Sequence, residues 1–332
     1  MAKTITPALS DHRSASRAAA ASQANSWRKR QRLWWMLFIV PAVVVYVIFM
    51  AMPLINSMGL SFYTGEGLRP ERFVGLDNYI QLFTGTVLRE RFFNALRNTF
   101  VFFSIHMIVQ NSLGLFFALL LNSQIRGRNI YRTIIFAPAT MSVLVTGFLW
   151  SLILNPQWGA AKKILEAFGM QSAVHPWLGD TQTALMTISL VSSWQWVGLP
   201  TMMFLAGLLT IPQELIEAAH IDGASTWEVF IRVKLPLLIP VIGIVSVLTF
   251  VGNFNAFDVV YTMAGARGQP DYSTDLLATF FYRTAIAGEH PVAKPDMGLG
   301  AAIATITFLI LLSGVSLWLI LSRRAEQNAF QD

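Results

Sequence analysis

The residues best placed to do mechanical chemistry are Glu217-Ala218-Ala219-His220-Ile221-Asp222-Gly223-Ala224, continuing to Leu235-Pro236, between two long apolar stretches. Pro212 suits an early helix position, where its missing N–H costs little, and Gln213 to Ile221 then make about two turns. Asp222-Gly223 supplies a break. Ser225, with Glu228 three positions on, begins a second helix as a capping box. On the first helix, Leu215, Ala218 and Ala219 share one side, and Glu214, Glu217 and Ile221 occupy an adjoining sector. Small Ala side chains admit a close partner, and Glu217 offers a carboxylate to a partner's Arg in a charge-assisted contact. The competing reading is a solvated loop, because helix–turn–helix geometry is common.

A second set of residues lies inside apolar stretches, where a polar group needs either a partner or a water-filled cavity. His106, Gln110 and Asn111 share one sector at helical spacing. Ser192, Ser193, Trp194, Gln195 and Trp196 precede Gly198 and Pro200, which favour a local break in the helix that exposes carbonyls. Asn253, Phe254, Asn255, Phe257, Asp258 and Tyr261 mix aromatic faces with amides. Aromatic faces cover the C–H patches of a sugar, and amides bond its hydroxyls. His106, Gln110, Trp194, Gln195, Asn253, Phe254, Asn255 and Phe257 are therefore candidates for a translocation path, with interhelical hydrogen bonding or packing as the alternative at each. Asp258 reads as a cap or ion-pair partner, and Trp150 and Trp158 as interface or packing residues.

These residues need a membrane scaffold. The chain is 54% hydrophobic and 13% charged, with 24 Phe and 10 Trp in 332 residues, and its mean hydropathy is +0.53. Leu33–Met52 is uncharged and long enough to cross about 30 Å of hydrocarbon. Five further segments follow, at 99–121, 133–155, 184–208, 237–260 and 297–321. The expected fold is thus an all-α integral membrane protein of six transmembrane helices, with a permease domain over 33–322 and a cytoplasmic loop at 209–236. Flexible cytoplasmic tails are expected at 1–32 and 323–332. Six crossings place both termini on one side, and Arg28, Lys29, Arg30, Arg32, Arg126, Arg128, Arg132, Arg323 and Arg324 mark it as cytoplasmic. Between the spans, the opposite side holds longer loops with amphipathic helices. Asp77 is an expected N-cap, residues 161–168 an amphipathic turn, and 274–287 a helix at the membrane edge.

Net charge is +6 and there is no cysteine. The charge points to anionic lipid at the cytoplasmic surface rather than to nucleic acid, for which no base-reading motif is present. Zero cysteines exclude disulfides and thiolate metal sites. The five histidines, His12, His106, His175, His220 and His290, are scattered, so spacing supports neither a metal centre nor an enzyme. No phosphate-binding Gly-rich Lys-Ser/Thr motif occurs, so no nucleotide site is expected in this chain.

The loop resembles that of integral-membrane permeases in binding-protein-dependent ABC importers, in which Glu-Ala-Ala is followed by Gly four positions after the second Ala, then an apolar residue and Leu-Pro. Glu217, Ala218, Ala219, Gly223, Val233, Leu235 and Pro236 meet that pattern, with Val233 standing where Ile is usual. The likeness extends over about residues 33–323 and is closest to the maltose and glycerol-phosphate types, through Phe73–Tyr79, Leu154-Asn155-Pro156, Trp177–Asp180, Phe204–Leu208, Ile211-Pro212, Phe257–Tyr261 and Tyr282-Arg283. After Tyr261, Gly265–Pro270 departs from the family's Gly-Pro-Gly turn, and Glu289–Asp296 is longer than usual.

The resemblance implies a non-enzymatic subunit of the bacterial inner membrane that pairs with a second, homologous permease and receives a carbohydrate from an extracytoplasmic binding protein. It implies that Glu217, Ala218, Ala219, Asp222, Gly223, Leu235 and Pro236 couple it to a cytoplasmic ATPase dimer. ATP and Mg would sit in that partner, with no cofactor in this chain. A glycerol-phosphate or other polyol importer is the narrower alternative, although no intramembrane Arg/Lys cluster is present to hold phosphate. A secondary transporter or channel is the alternative of a different class, and it would need a gradient-coupled ion site or a continuous pore.

Overall fold

A computed structural model of the chain describes residues 34–65, 69–123 and 125–329. The tail expected over 1–32, with its basic cluster, lies outside the described residues, as do 330–332.

Helix α1 (Trp34–Leu60) belongs to a compact unit of its own. At 1.5 Å per residue its 27 residues exceed the hydrocarbon thickness. A π turn at Val47–Ala51 widens the backbone where the ring of Pro53 would otherwise meet the carbonyl four residues earlier.

The second unit opens with an antiparallel hairpin, β1 (Tyr63–Thr64) and β2 (Arg72–Phe73). It continues through α2 (Asp77–Thr84) and α3 (Thr86–Asn122), a single 37-residue helix that starts well before the expected 99–121 segment. Asp77 is the first helical residue rather than the N-cap, which is Leu76, and its charge still complements the N-terminal end of the dipole. Asn78 Nδ2 donates to the carbonyls of Ser61 and Tyr63, both at 2.8 Å, and ties the hairpin to α2.

The expected 133–155 crossing is broken. Helix α4 (Arg128–Thr140) and helix α5 (Val143–Ile153) meet at 96°, because the last turn of α4 tightens to a 3-10 turn around Pro138 and the chain then extends at Met141 and Ser142. Next come α6 (Ala160–Ala167), the expected amphipathic turn, and α7 (Ala184–Trp196) with α8 (Gly198–Leu209), which together cover the expected fourth segment. Val197 between them keeps right-handed helical dihedrals. The interruption is one of hydrogen bonding, since Pro200 has no N–H to return to the carbonyl of Trp196.

Helix α9 (Gln213–Ile221) leaves α8 at 71°. Helix α10 (Thr226–Phe254) then runs 29 residues without a stop, so the short helix expected after Ser225 and the fifth span are one element. Leu235-Pro236 lies inside it. The π turn Phe230–Lys234 opens the helix around Arg232, whose carbonyl the Pro236 ring would otherwise strike.

Helices α11 (Asp258–Ala264), α12 (Leu277–Tyr282) and α13 (Met297–Ala329) complete the chain. Within the expected 274–287 helix, Leu277–Tyr282 is α-helical and Arg283–Ala287 continues it as a π turn, and Thr274, Asp275, Leu276, Leu277, Thr279, Phe280, Arg283, Thr284 and Ala285 are all buried. Asn98 Nδ2 donates to the carbonyls of Tyr272, Ser273 and Asp275 at 3.3, 3.0 and 3.1 Å. That clamp supplies partners for buried backbone and draws the segment onto α3. Small residues bring helices together elsewhere, as they do within membranes: Gly243 of α10 faces the Trp318 indole of α13, where a Cβ would overlap the ring.

Among the described residues, four helices are long and apolar enough to cross a membrane, or up to six if each bent pair counts as one span.

Candidate functional site

A cleft of about 340 Å³ lies among α3, α5, α7, α8, α10 and α11, at the lower end of the size range in which small-molecule sites fall. Helix α3 contributes Phe102, His106 and Gln110; α7 and α8 contribute Ser192, Trp196, Leu199, Pro200 and Met203; α10 contributes Val245, Leu248, Thr249, Gly252 and Asn253. Asn255, Phe257 and Asp258 close one end. Of the residues expected on a path, His106, Gln110, Asn253, Asn255 and Phe257 converge here.

Trp194, Gln195 and Phe254 do not. Trp194 lies edge-on to Trp150, with ring centroids 5.4 Å apart, in a separate apolar slot with Trp177 and Leu154. Gln195 is fully buried, and its Nε2 donates to the Met141 carbonyl at 3.1 Å, supplying a partner at the α4–α5 break. Phe254 packs into the core with Phe100 and Phe250. Ser192 and Trp196, which line the cleft instead, precede Leu199 and Met203 at four- and three-residue steps. That period was available in the sequence and places Trp194 on another face, whereas Gln195, three residues after Ser192 and four before Leu199, shares the step and is held by its hydrogen bond to the Met141 carbonyl instead.

The polar groups around the cleft fall into two kinds. Asn111 bonds across helices: its Nδ2 donates to Thr249 Oγ1 at 3.2 Å, which makes it an interhelical tie. His106, Gln110 and Asn253 retain unused atoms. His106 Nδ1 lies 2.8 Å from the Phe102 carbonyl, and because a carbonyl only accepts, Nδ1 carries the proton and Nε2 presents a lone pair. Asn253 Nδ2 donates to the Thr249 carbonyl at 2.6 Å, which orients its Oδ1. His106 Nε2, Gln110 Oε1 and Asn253 Oδ1 are all buried without a protein partner. Buried acceptors in that condition carry a desolvation cost that a bound O–H donor relieves.

The loop at the far end of α10 is built from two interlocking caps. Helix α9 ends in a Schellman motif: Gly223 stands at φ +85°, its N–H donates to the His220 carbonyl at 3.1 Å, and the Ala224 N–H donates to the Ala219 carbonyl at 2.9 Å. One residue later the expected capping box is present, with Ser225 N donating to Glu228 Oε2 at 2.9 Å and Glu228 N to Ser225 Oγ at 3.3 Å. The Ser225 backbone N–H holds the Glu228 carboxyl below its usual range. Glu217 and Ala218 are exposed, and no ion pair engages Glu217 among the described residues. Ile221 and Trp227 stand 85% and 67% exposed, leaving apolar surface on the loop beside that carboxylate.

A sequence profile of the family described as "Binding-protein-dependent transport system inner membrane component" matches residues 110–327. The chain belongs to this family.

Its relatives among the binding-protein-dependent transport components include the probable ABC transporter permease protein YurN of Bacillus subtilis (strain 168). The two are 33% identical over 280 residues, covering 83% of this chain and 91% of YurN. The trehalose/maltose transport system permease protein MalF of Thermococcus litoralis is 33% identical over 289 residues, covering 86% of this chain and 92% of its own. The same fold appears in the crystal structure of a bacterial ABC transporter involved in the import of the acidic polysaccharide alginate. There the TM-score is 0.75 at 22% identity, over 90% of this chain and 99% of that one.

Proposed function

We propose that this membrane-spanning permease carries a carbohydrate through the cleft between α3, α7, α8 and α10, and that the loop around α9 couples the passage to ATP hydrolysis in a separate subunit. The observation that carries the cargo assignment is the set of three unpaired acceptors, His106 Nε2, Gln110 Oε1 and Asn253 Oδ1, beside the aromatic surfaces of Phe102, Trp196 and Phe257. Hydroxyl groups donate to the acceptors while C–H faces rest on the rings. The trehalose/maltose assignment of the MalF relative supports the same class.

In this reading a second, homologous permease completes the pathway, an extracytoplasmic binding protein delivers the sugar, and an ATPase dimer holding ATP and Mg docks on the inner face. The run of Lys and Arg around the short loops supports cytoplasmic termini. Glu217, Ala218, Ala219, Asp222 and Gly223 form the docking helix and its cap. Leu235 and Pro236 lie inside α10, so displacement of the loop passes along a continuous helix to Thr249 and Asn253 at the cleft. ATP-driven closure of the partner dimer pulls α9 and turns the cleft from the inner face to the outer, and hydrolysis resets it.

The test is reconstitution of the assembly in proteoliposomes with Glu217→Arg. Loss of ATP-driven uptake together with weakened ATPase association is expected, and full uptake with unchanged association would refute the contact.

A further inference from the structure

Three rings meet where the cleft ends, at the opposite end of α10 from the α9 loop. Phe257 and Tyr261 stack with centroids 5.0 Å apart and planes at 26°. Tyr282 stands 5.0 Å from Phe257 and 5.6 Å from Tyr261, edge-on to the latter. Phe257 lines the cleft, so the cluster prolongs the cleft wall. It is not closed over as a core cluster would be: Tyr261 remains 39% exposed, and Phe257 and Tyr282 are half-buried.

Polar groups flank the rings. Arg267 Nε donates to Glu289 Oε2 at 2.8 Å, with both side chains partly open to solvent. That bond holds the carboxylate in place and leaves Oε1 as an acceptor and the remaining guanidinium N–H groups as donors. The Glu289 N–H donates to the carbonyl of Arg283, the residue after Tyr282, at 3.1 Å, and a hydrogen bond to Tyr261 pushes the Tyr282 phenol up, with the Glu289 charge adding to it. Asp258 presents an exposed carboxylate on the cleft side. An aromatic face bordered by carboxylates and a guanidinium matches a pyranose or furanose ring, whose C–H face is apolar and whose edge is ringed by hydroxyls.

We infer that Phe257, Tyr261 and Tyr282, with the Arg267–Glu289 pair, form a second carbohydrate subsite that holds the sugar unit adjoining the one in the cleft, so that the cargo is an oligosaccharide rather than a free monosaccharide. This rests on the carbohydrate reading of the cleft.

The full importer, reconstituted with its partner subunits and binding protein, is assayed for ATP-driven uptake of glucose, maltose and maltotriose, and of arabinose, arabinobiose and arabinotriose. Uptake of a di- or trisaccharide is expected. Tyr261→Ala raises the half-saturating concentration about fivefold for the longest sugar carried and by less than about twofold for the shortest, while Tyr261→Phe behaves as the parent chain. Glu289→Gln shows the same dependence on sugar length more weakly, and it decides the matter should Tyr261→Ala fail to assemble. Uptake confined to monosaccharides, or a loss that is equal for short and long sugars or absent in these variants, overturns the subsite and leaves the carbohydrate cleft standing. Uptake of no sugar by an assembly that still hydrolyses ATP removes both.

Discussion

Replacing Arg283 by Leu strands the one fully buried ion pair found among the described residues. Arg283 Nη2 lies 2.7 Å from Asp275 Oδ2, with both side chains wholly inaccessible. Thr279 Oγ1 donates to Asp275 Oδ1 at 2.8 Å, and the guanidinium carbon sits 4.9 Å from the Tyr272 ring centroid. At an effective dielectric of about 20, charges this close attract by about 6 kcal/mol. Desolvation of the two ions offsets much of that, so the intact pair is worth far less than its Coulomb energy. Removing one partner leaves the other uncompensated, at about 3–5 kcal/mol.

The loss falls on the strap that Asp275 anchors, whose N–H groups at Ser273, Thr274, Asp275 and Leu277 bond Pro270, Gly268, Tyr272 and Thr99 Oγ1. Local opening is read by amide hydrogen exchange, and 3–5 kcal/mol corresponds to an acceleration on the order of a hundredfold or more. Asp275→Leu combined with Arg283→Leu restores most of the protection, because an apolar pair leaves no stranded charge.

The pH dependence has a definite sign. Burial raises the Asp275 carboxyl above its usual value of 3.8, against the opposing pull of Arg283. Its contribution is therefore most favourable below that usual value and is lost as pH rises through the higher folded one. Without Arg283 the folded value climbs further, and the excess exchange in Arg283→Leu, corrected for intrinsic rate, shrinks on acidification. Exchange in the strap within about threefold of the parent at neutral pH, or an excess that grows on acidification, refutes the role given to the pair.

Three other outcomes are expected. Asn253→Leu removes one unpaired acceptor and, at about 1 kcal/mol for a hydrogen bond, weakens sugar uptake by about fivefold in half-saturating concentration with ATPase association unchanged, whereas Phe254→Leu acts through stability alone; kinetics of reconstituted uptake separate the two. Gly243→Leu forces a side chain into the Trp318 indole and lowers the thermal-inactivation midpoint of the purified assembly by overpacking worth about 1–3 kcal/mol, with Trp318→Ala as a partial second-site rescue. Ser225→Ala removes the N-cap of α10 at a cost of about 1 kcal/mol. Because the Glu228 carboxyl is held low by the Ser225 N–H, the box is stabilising above the usual carboxylate value of 4.5 and is lost as pH falls through the lower folded one, which helix signals from a peptide spanning the loop and first turns of α10 follow.

Much of the machinery was legible because it is local. The Asp222-Gly223 turn and the Ser225–Glu228 box depend on neighbours within a few residues and appear where the sequence places them, and the apolar stretches are helical although their bounds differ and one is broken. The Schellman closure around Gly223 was equally local and was read only as a break. Local readings failed at two prolines. Leu235-Pro236 looks like a boundary, yet a π turn absorbs it inside α10, while Pro138 helps to break a stretch that hydropathy alone makes continuous.

What the sequence determined by itself is a membrane-spanning helical chain with a capped loop and candidate path residues in three of its apolar segments, because hydrophobic length and cap chemistry are written in consecutive residues. Tertiary structure alone decided which of those polar residues meet. Helix rotation and the α4–α5 break send Gln195 to the Met141 carbonyl and Trp194 to an apolar slot, while His106, Gln110 and Asn253, from helices far apart in sequence, turn toward one cleft. The burial of residues 274–285 around Asp275 and Arg283 is likewise a tertiary result, since the Asn98 clamp that draws them onto α3 joins positions more than 170 residues apart.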